Sequence, residues 1–198
     1  MPTWSRTLTG HDGQRYRFDP GSFSLELLVT GGPGEYRRYE VLHTPDDLAA
    51  WLRDCRLTTT APITDVRVTP EDLDRIKALR DAFLHLAQAQ ARGEAPDPAH
   101  VEALNAATAE TPRPRLDPGT GALAWTTPVT GAQVLGAAAR DAVHTLATGA
   151  VRECSADDCG LLFLDTSRSG NRRWCSMERC GNRHKVRTHR ARREAEPL

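Results

Sequence analysis

Apolar residues recur at helical spacing in two long stretches of the chain, and each stretch follows a threonine–proline pair. The first runs from Thr69-Pro70 to about Arg92, and the second from Thr127-Pro128 to about Thr148. Their apolar positions are Leu73, Ile76, Leu79, Phe83, Leu84 and Leu86 in the first, and Val134, Leu135, Ala138, Ala142 and Leu146 in the second. A threonine hydroxyl caps the free N–H groups of a helix start, and proline suits the first helical position. The pattern therefore predicts two long amphipathic helices that pack on a common core.

Shorter elements are predicted around these two helices. The capping pattern recurs at Thr44–Asp47 and predicts a helix up to Leu52, and a further short helix is predicted over 99–109. Turn residues between short polar and apolar runs predict two β-hairpins, 7–9 with 14–18 around His11-Asp12-Gly13, and 113–116 with 122–125 around Asp117-Pro118-Gly119. Residues 22–30 alternate as in a strand, but Ser22 also suits the cap of a helix.

These elements place the chain in the mainly α-helical class. Its 198 residues are enough for one large domain and a small appended module. We assign residues 1–149 to a helical domain with short β-hairpins. We expect residues 150–194 to form a small appended module that ends in a basic helix.

Four of the five cysteines fall in two equal pairs, Cys154-x4-Cys159 and Cys175-x4-Cys180, separated by fifteen residues. Four thiolates at this spacing suit one tetrahedral zinc ion and leave no open coordination position, which predicts a structural site. Residues 161–165 and 172–175 are expected to pair as short strands between the two cysteine pairs, which would make the module zinc-ribbon-like. Two disulfides, an iron–sulfur cluster or four unrelated buried thiols stay open as alternatives. The remaining cysteine, Cys55, is expected to be buried and inert.

The compartment and the charge distribution bear on the partners of the protein. The sequence has no apolar run that suits a signal peptide or a membrane span, so we expect a cytoplasmic protein with no membrane partner. Thiols stay reduced there, which favours zinc over disulfides. The 26 basic and 26 acidic residues balance overall, but residues 167–193 hold ten Lys and Arg and only one acid, Glu178. This asymmetry favours a nucleic-acid contact at the C-terminal end.

The basic segment is expected to be helical from about Glu178, because lysine, arginine and alanine favour helices. Its basic residues fall on two adjacent faces, Arg179, Arg183, Arg187 and Arg190 on one, and Lys185, His189 and Arg192 on the other. Such faces can grip phosphates or enter a major groove, so we expect DNA as the partner. Two alternatives stay open: Arg172, Arg173 and Arg183 only balance the thiolate charge, or the tail docks on the acidic body.

Other residues near the cysteines are given structural roles. We expect Gly181 to provide a tight backbone conformation that a side chain would crowd. We expect Asn182 to stabilise the turn rather than to read a base, and Trp174 to shield the zinc rather than to stack on a base. Neither His184 nor His189 is expected to bind zinc, because four cysteines complete the site.

The residues Cys180-Gly181-Asn182-Arg183, with both cysteine pairs and the basic tail, are similar to the signature of the CGNR zinc fingers. In that family the zinc module follows a mostly helical domain called ABATE. Two N-terminal segments, Phe23–Thr30 and Leu42–Leu52, resemble that domain, and the resemblance favours a helix for the first. Relatives often read Leu-Asp-Phe-Val-Asn-Thr there. The sequence here is Leu-Glu-Leu-Leu-Val-Thr over 25–30, so any role of that Asp and Asn does not carry over.

The resemblance implies a zinc-dependent, stress-linked bacterial transcription regulator that binds DNA. It also implies that the N-terminal domain senses a signal or mediates dimerisation, so we expect a homodimer and a small-molecule effector at that domain. The competing class is a zinc-stabilised module that binds RNA or an acidic protein surface, with a ligand-binding N-terminal domain. The chain carries no nucleophile elbow, P-loop or dinucleotide-binding glycine pattern, and we expect that it is not an enzyme.

Overall fold

The computed structural model describes residues 4–10 and 12–195, with side chains up to residue 193. The α-helices of the described ranges are α1 (Phe23–Leu28), α2 (Pro45–Leu52), α3 (Pro70–Arg92), α4 (Pro98–Ala106), α5 (Gly131–Ala147) and α6 (Asn182–Ala195). Two short 3₁₀ helices, Gly34–Tyr39 and Arg56–Thr59, and one π-helical turn, Met177–Gly181, lie between them. The mainly α-helical class predicted from the sequence is confirmed.

Short strands accompany the helices in two-stranded pairs. The strands are β1 (Arg6–Thr9), β2 (Arg15–Phe18), β3 (Val66–Arg67), β4 (Pro114–Leu116), β5 (Leu123–Trp125), β6 (Val129–Thr130), β7 (Val151–Glu153) and β8 (Leu162–Leu164). The pairs β1–β2, β4–β5 and β7–β8 are antiparallel, whereas β3–β6 is parallel. Both predicted hairpins are therefore present, although His11, in the predicted turn of the first, lies outside the described residues.

The threonine signals for helix starts act as predicted in two places. Thr44 and Thr69 cap α2 and α3, and in each case the aspartate three residues later completes a capping box. Ser22 caps α1 by accepting a hydrogen bond from the Leu25 N–H at 3.2 Å. The ambiguous segment is thus a helix, as the resemblance to the family favours. Gly93 ends α3 with a φ of 71°, a left-handed conformation that glycine adopts at little cost.

The prediction that the last long helix of the body begins at Thr127-Pro128 is wrong. Helix α5 begins at Gly131, because Thr130 is its cap and shares a capping box with Gln133. Val129 is fully buried and pairs with Val66 in the β3–β6 ladder, which holds the preceding backbone extended. Helix α4 also ends at Ala106, three residues before the predicted end.

One continuous hydrophobic core joins the helical body to the cysteine-bearing segment. Helix α3 lies at its centre and packs against α1, α2, α4, α5 and β7. Leu161, Leu162 and Phe163 are almost completely buried in that core. The Tyr36 hydroxyl, from the first 3₁₀ helix, accepts a hydrogen bond from the Leu162 N–H at 2.9 Å and lies 3.2 Å from the Gly160 carbonyl oxygen, to which it donates. The segment after residue 150 is therefore held by the body.

Candidate zinc centre and nucleic-acid interface

The four paired cysteines converge in one buried cluster. Each offers a sulfur atom, and all four sulfurs lie within 4.8 Å of one another. The Sγ of Cys175 lies 3.5 Å from both the Cys159 Sγ and the Cys180 Sγ. A tetrahedral zinc ion with Zn–S bonds of about 2.3 Å would separate its sulfur ligands by about 3.8 Å. The cluster therefore has the donor atoms, the number of ligands and the spacing that one zinc ion needs.

Nearby donors offset the negative charge of the sulfurs. The Cys175 N–H donates to the Cys154 Sγ at 3.4 Å, and the Arg183 guanidinium lies 3.8 Å from the Cys180 Sγ. Hydrogen bonds from the other three cysteines, and also from Arg183, lower the pKa of the Cys180 thiol. The five cysteines form no disulfide, and the Cys159 and Cys175 sulfurs lie 3.5 Å apart, beyond an S–S bond of about 2.05 Å, so the disulfide alternative does not describe this structure.

The strand pairing around the cysteine pairs differs from the sequence prediction. Strand β8 pairs with β7, the segment before the first ligand, and not with residues 172–175. The Cys154 N–H donates to the Leu161 carbonyl at 2.9 Å and so continues the β7–β8 ladder up to the metal site. In contrast, the Arg172 N–H donates to the Asp165 carboxylate at 2.9 Å, and its guanidinium donates to the Trp174 carbonyl at 3.0 Å. These bonds hold residues 172–175 as a loop.

Of the two properties expected of Gly181, the structure shows crowding of a side chain but no glycine-specific backbone conformation. Gly181 does not have a positive φ, so its backbone conformation is one that other residues can adopt. A side chain at this position would be crowded, as expected, because its Cβ would lie 2.7 Å from the Sδ at the flexible end of Met177, which would have to shift. The Asn182 side-chain amide donates to the Glu178 carbonyl at 3.3 Å and closes the π turn.

Trp174 lies half-buried beside the ligand Cys175, and its ring packs against that of His184 in a tilted arrangement, with 4.7 Å between centroids and 34° between the planes. Within the described residues the metal-binding cluster consists of the four cysteines alone, so His184 and His189 are not part of it.

The prediction that Arg179 is one of the DNA-contacting residues is not supported by its position. Its side chain is 1% exposed, because the π turn directs it under the β1–β2 hairpin. There the guanidinium carbon lies 5.0 Å from the Tyr16 ring centroid, and the guanidinium pairs with Asp12 at 3.3 Å. Gly10 also faces this group, since a Cβ there would overlap the guanidinium. We name the π-helical turn Met177–Gly181, which carries the ligand Cys180, the zinc turn. Arg179 therefore attaches the zinc turn to the hairpin.

Two further arginines of the predicted face pair with aspartates that lie between the zinc ligands Cys154 and Cys159. Arg183 forms a two-point contact with Asp158, with N–O distances of 2.7 and 2.6 Å. The hydrogen bond from Arg183 lowers the pKa of the Asp158 carboxyl, and the same bond raises the pKa of Arg183. Arg187 lies 3.4 Å from Asp157, with both side chains largely exposed. The alternative of charge balance near the zinc thus applies to Arg183, which also contacts Cys180.

The remaining basic residues of α6 form the exposed surface of the module. They are Lys185, Arg190, Arg192 and Arg193. Successive helical residues turn by about 100°, so these four lie within an arc of about 160°. Their side chains are all exposed, whereas the ion pairs found among the described side chains of this region use Arg179, Arg183 and Arg187. We name this set the exposed basic face.

The helical body contributes two further features. Cys55 is completely buried, and burial raises the pKa of its thiol to about 12, which agrees with an inert cysteine. A cavity of about 460 Å³ opens between the ends of α3, α4 and α5, lined by Leu86, Gln90, Gly93, Glu94, Pro96, Val101 and Leu146. Across the described part of the chain, no helix is both long and apolar enough to cross a lipid bilayer.

Two family models match the chain. Residues 21–149 match the ABATE model, described as "Putative stress-induced transcription regulator", and residues 150–193 match the CGNR zinc finger model. The search of curated proteins found no match. The first model covers more than half of the chain, and the second spans the four cysteines that the structure brings together. The chain therefore belongs to the ABATE family and carries a CGNR zinc finger whose four cysteines form a site for one zinc ion.

Proposed function

We propose that this protein is a DNA-binding transcription regulator whose zinc-folded module contacts the duplex through α6. The observation that carries the proposal is the exposed basic face, Lys185, Arg190, Arg192 and Arg193, which projects from a metal centre anchored in the core. The family description agrees with a regulatory role. The role is one of binding, and we propose no catalytic activity.

The geometry of α6 suits a duplex. Its 14 residues span about 20 Å, and an α-helix fits the width of the major groove. Arginine and lysine at the edges of such a helix contact phosphates, and those at its centre reach guanine edges. His189 lies between Lys185 and Arg193 on the helical projection, so it belongs to the central part of the same face.

The charges already paired in the structure restrict which residues take part. Arg179 is buried, and Arg183 is held by Asp158, so neither is assigned a DNA contact. Arg187 keeps an exposed side chain and only a long contact with Asp157, so it remains a candidate at the edge of the face. The proposed contact set is therefore Lys185, Arg187, Arg190, Arg192 and Arg193.

The salt dependence of binding tests the proposal. Fluorescence anisotropy of a labelled mixed-sequence duplex is recorded with zinc-loaded protein across a salt series. Each neutralised phosphate contributes about −0.9 to the slope of log K against log salt. The variant Lys185→Gln/Arg190→Gln/Arg192→Gln should therefore flatten the slope by about 2.7. Glutamine keeps the helix propensity of the replaced residues, so the fold is preserved.

A matched control removes three exposed arginines of the body, Arg37→Gln/Arg67→Gln/Arg75→Gln, which changes net charge equally. We expect this control to keep the wild-type slope. An equal effect of both triple variants would mean that only net charge matters. If the zinc-loaded protein does not bind the duplex at low salt, the DNA assignment fails. Binding of an RNA or of an acidic protein surface would then replace DNA binding as the proposed function of α6.

The cavity between α3, α4 and α5 supports a second role, binding of a small-molecule effector by the body. Its lining is largely apolar, and the buried side-chain oxygen of Gln90 has no partner among the described residues, whereas its amide donates to the Leu146 carbonyl. Leu146 lies in the last turn of α5, shortly before β7 and the first zinc ligand. We propose this cavity as the effector site. A thermal-shift screen of small apolar alcohols and amides tests it, with Leu86→Trp as the variant that should abolish any shift.

A further inference from the structure

The β1–β2 hairpin lies against the zinc turn, although it precedes the segments that match either family model. Arg179 of the π turn lies beneath it, between Tyr16 and Asp12. The backbone N–H of Arg17 points at the Glu178 carboxylate, at 3.5 Å. Gly10 leaves the room that the Arg179 guanidinium occupies. The hairpin is therefore fixed next to the N-terminal end of α6.

Two grooves border this contact. One, of about 560 Å³, lies between Gln14 of the hairpin and α6, and its lining includes Arg187 and Arg190 of the proposed contact set. The other, of about 620 Å³, lies between the hairpin and residues 171–178, and its lining includes Arg17, Arg173 and Trp174. Glu178 borders both grooves, so the surface from α6 to the hairpin is continuous.

The hairpin adds positive charge to that surface. Arg15 and Arg17 alternate with the buried Tyr16 on β2, and both are exposed. The Nε of Arg17 donates to the Ser5 hydroxyl at 3.0 Å, a neutral partner that leaves its charge available. The acids of the hairpin are engaged elsewhere, since Asp12 pairs with Arg179 and Asp19 pairs with Arg56. Glu178 is the acid that offsets part of the positive charge.

We propose that the β1–β2 hairpin is the second part of the DNA interface. In this arrangement Arg15 and Arg17 bind DNA backbone phosphates beside the major groove that α6 enters. The inference rests on the proposed function of α6. Phosphate contacts on an element next to a recognition helix fix the orientation of the protein on the duplex. Arg179 is then a positioning residue, because it fixes the hairpin relative to α6 without touching DNA.

The magnitude follows from the number of contacts. Two phosphates contribute about −1.8 to the salt slope. When salt is raised from 50 to 200 mM, this contribution alone weakens DNA binding by a factor of about twelve. The variant Arg15→Gln/Arg17→Gln should therefore bind more weakly at low salt and lose affinity about twelvefold less over that range.

The test uses full-length, zinc-loaded protein and the same labelled duplex. The matched control is Arg113→Gln/Arg115→Gln, which removes two exposed arginines with the same spacing at the β4–β5 hairpin. Among the described residues, this hairpin forms no hydrogen bond or ion pair with the zinc module. Arg15→Gln alone serves as a second variant, because Arg17 contacts Ser5 and the zinc turn. Circular dichroism and zinc content establish that each variant is folded.

The outcomes separate the two proposals. A flatter slope for the hairpin variants, with an unchanged slope for the control, supports the hairpin as a DNA contact. If the α6 variant flattens the slope and the hairpin variants do not, the function of α6 stands and this inference is overturned. If wild-type protein does not bind duplex, both are overturned. An equal effect of the control also overturns it, since the response would then reflect net charge.

Discussion

Alanine at position 10 tests how the hairpin is attached to the zinc turn. The added Cβ would overlap the guanidinium group of Arg179, which would have to leave its place over the Tyr16 ring. Arg179 is 1% exposed, so this is a desolvated cation–π contact, and losing it costs about 2 kcal/mol. The ion pair with Asp12 adds little to stability, because that carboxylate is open to solvent.

A second contribution has the opposite sign. Gly10 has no positive φ, so alanine fits its backbone and restricts the unfolded chain, which stabilises the fold by about 0.5 kcal/mol. We therefore expect Gly10→Ala to lower the free energy of unfolding by about 1.5 kcal/mol. In an Arg179→Ala background the overlapping atoms are gone, and the same substitution should be neutral or slightly stabilising.

Urea unfolding of the zinc-loaded wild type, both single variants and the double variant measures this cycle. The expected coupling free energy between positions 10 and 179 is about 2 kcal/mol. Gly119→Ala, in the turn of the β4–β5 hairpin where a Cβ meets only a side-chain oxygen at 3.5 Å, is the control and should change little. If Gly10→Ala costs the same with and without Arg179, the attachment described here is refuted.

Three further predictions concern other parts of the molecule. Gly136→Ala should lower the free energy of unfolding by about 2 kcal/mol in urea, because its Cβ would overlap the Glu110 backbone carbonyl, and wild-type stability would contradict this. Removal of zinc by a chelator should lower the Tm of the whole chain by about 10 °C or more, because the cysteines belong to the continuous core, and calorimetry measures it. Burial raises the pKa of Glu26 to about 7, so the folded state binds more protons than the unfolded state between about pH 4.5 and 7. Stability therefore falls as pH rises through that window, and relative to Glu26→Gln the wild type should lose about 3 kcal/mol across it, whereas parallel profiles would contradict the pKa.

The features predictable from the sequence are those fixed by local chemistry. The cysteine spacing predicted the metal site. The Thr-Pro starts, each with an aspartate three residues after the threonine, predicted α2 and α3, because a cap depends on residues within one turn. DNA contact by the basic residues of α6 stays a prediction.

The errors have a common physical cause, which is tertiary contact. Thr127-Pro128 has the local features of a helix start, but pairing of Val129 with Val66 moves the start to Gly131. Residues 172–175 were predicted to pair with 161–165, yet β8, which lies in that segment, pairs with β7. Arg179 has helical spacing with the exposed arginines, but burial depends on the hairpin more than 160 residues earlier in the chain.

Zinc dependence of DNA binding tests the central claim most directly. Anisotropy of the labelled duplex is measured with loaded protein, after chelation, and after zinc is returned. If zinc folds the module that presents α6, chelation should abolish binding and zinc should restore it, in step with the helical signal in circular dichroism. Binding that persists with the same affinity and the same salt slope after complete removal of zinc would contradict the account.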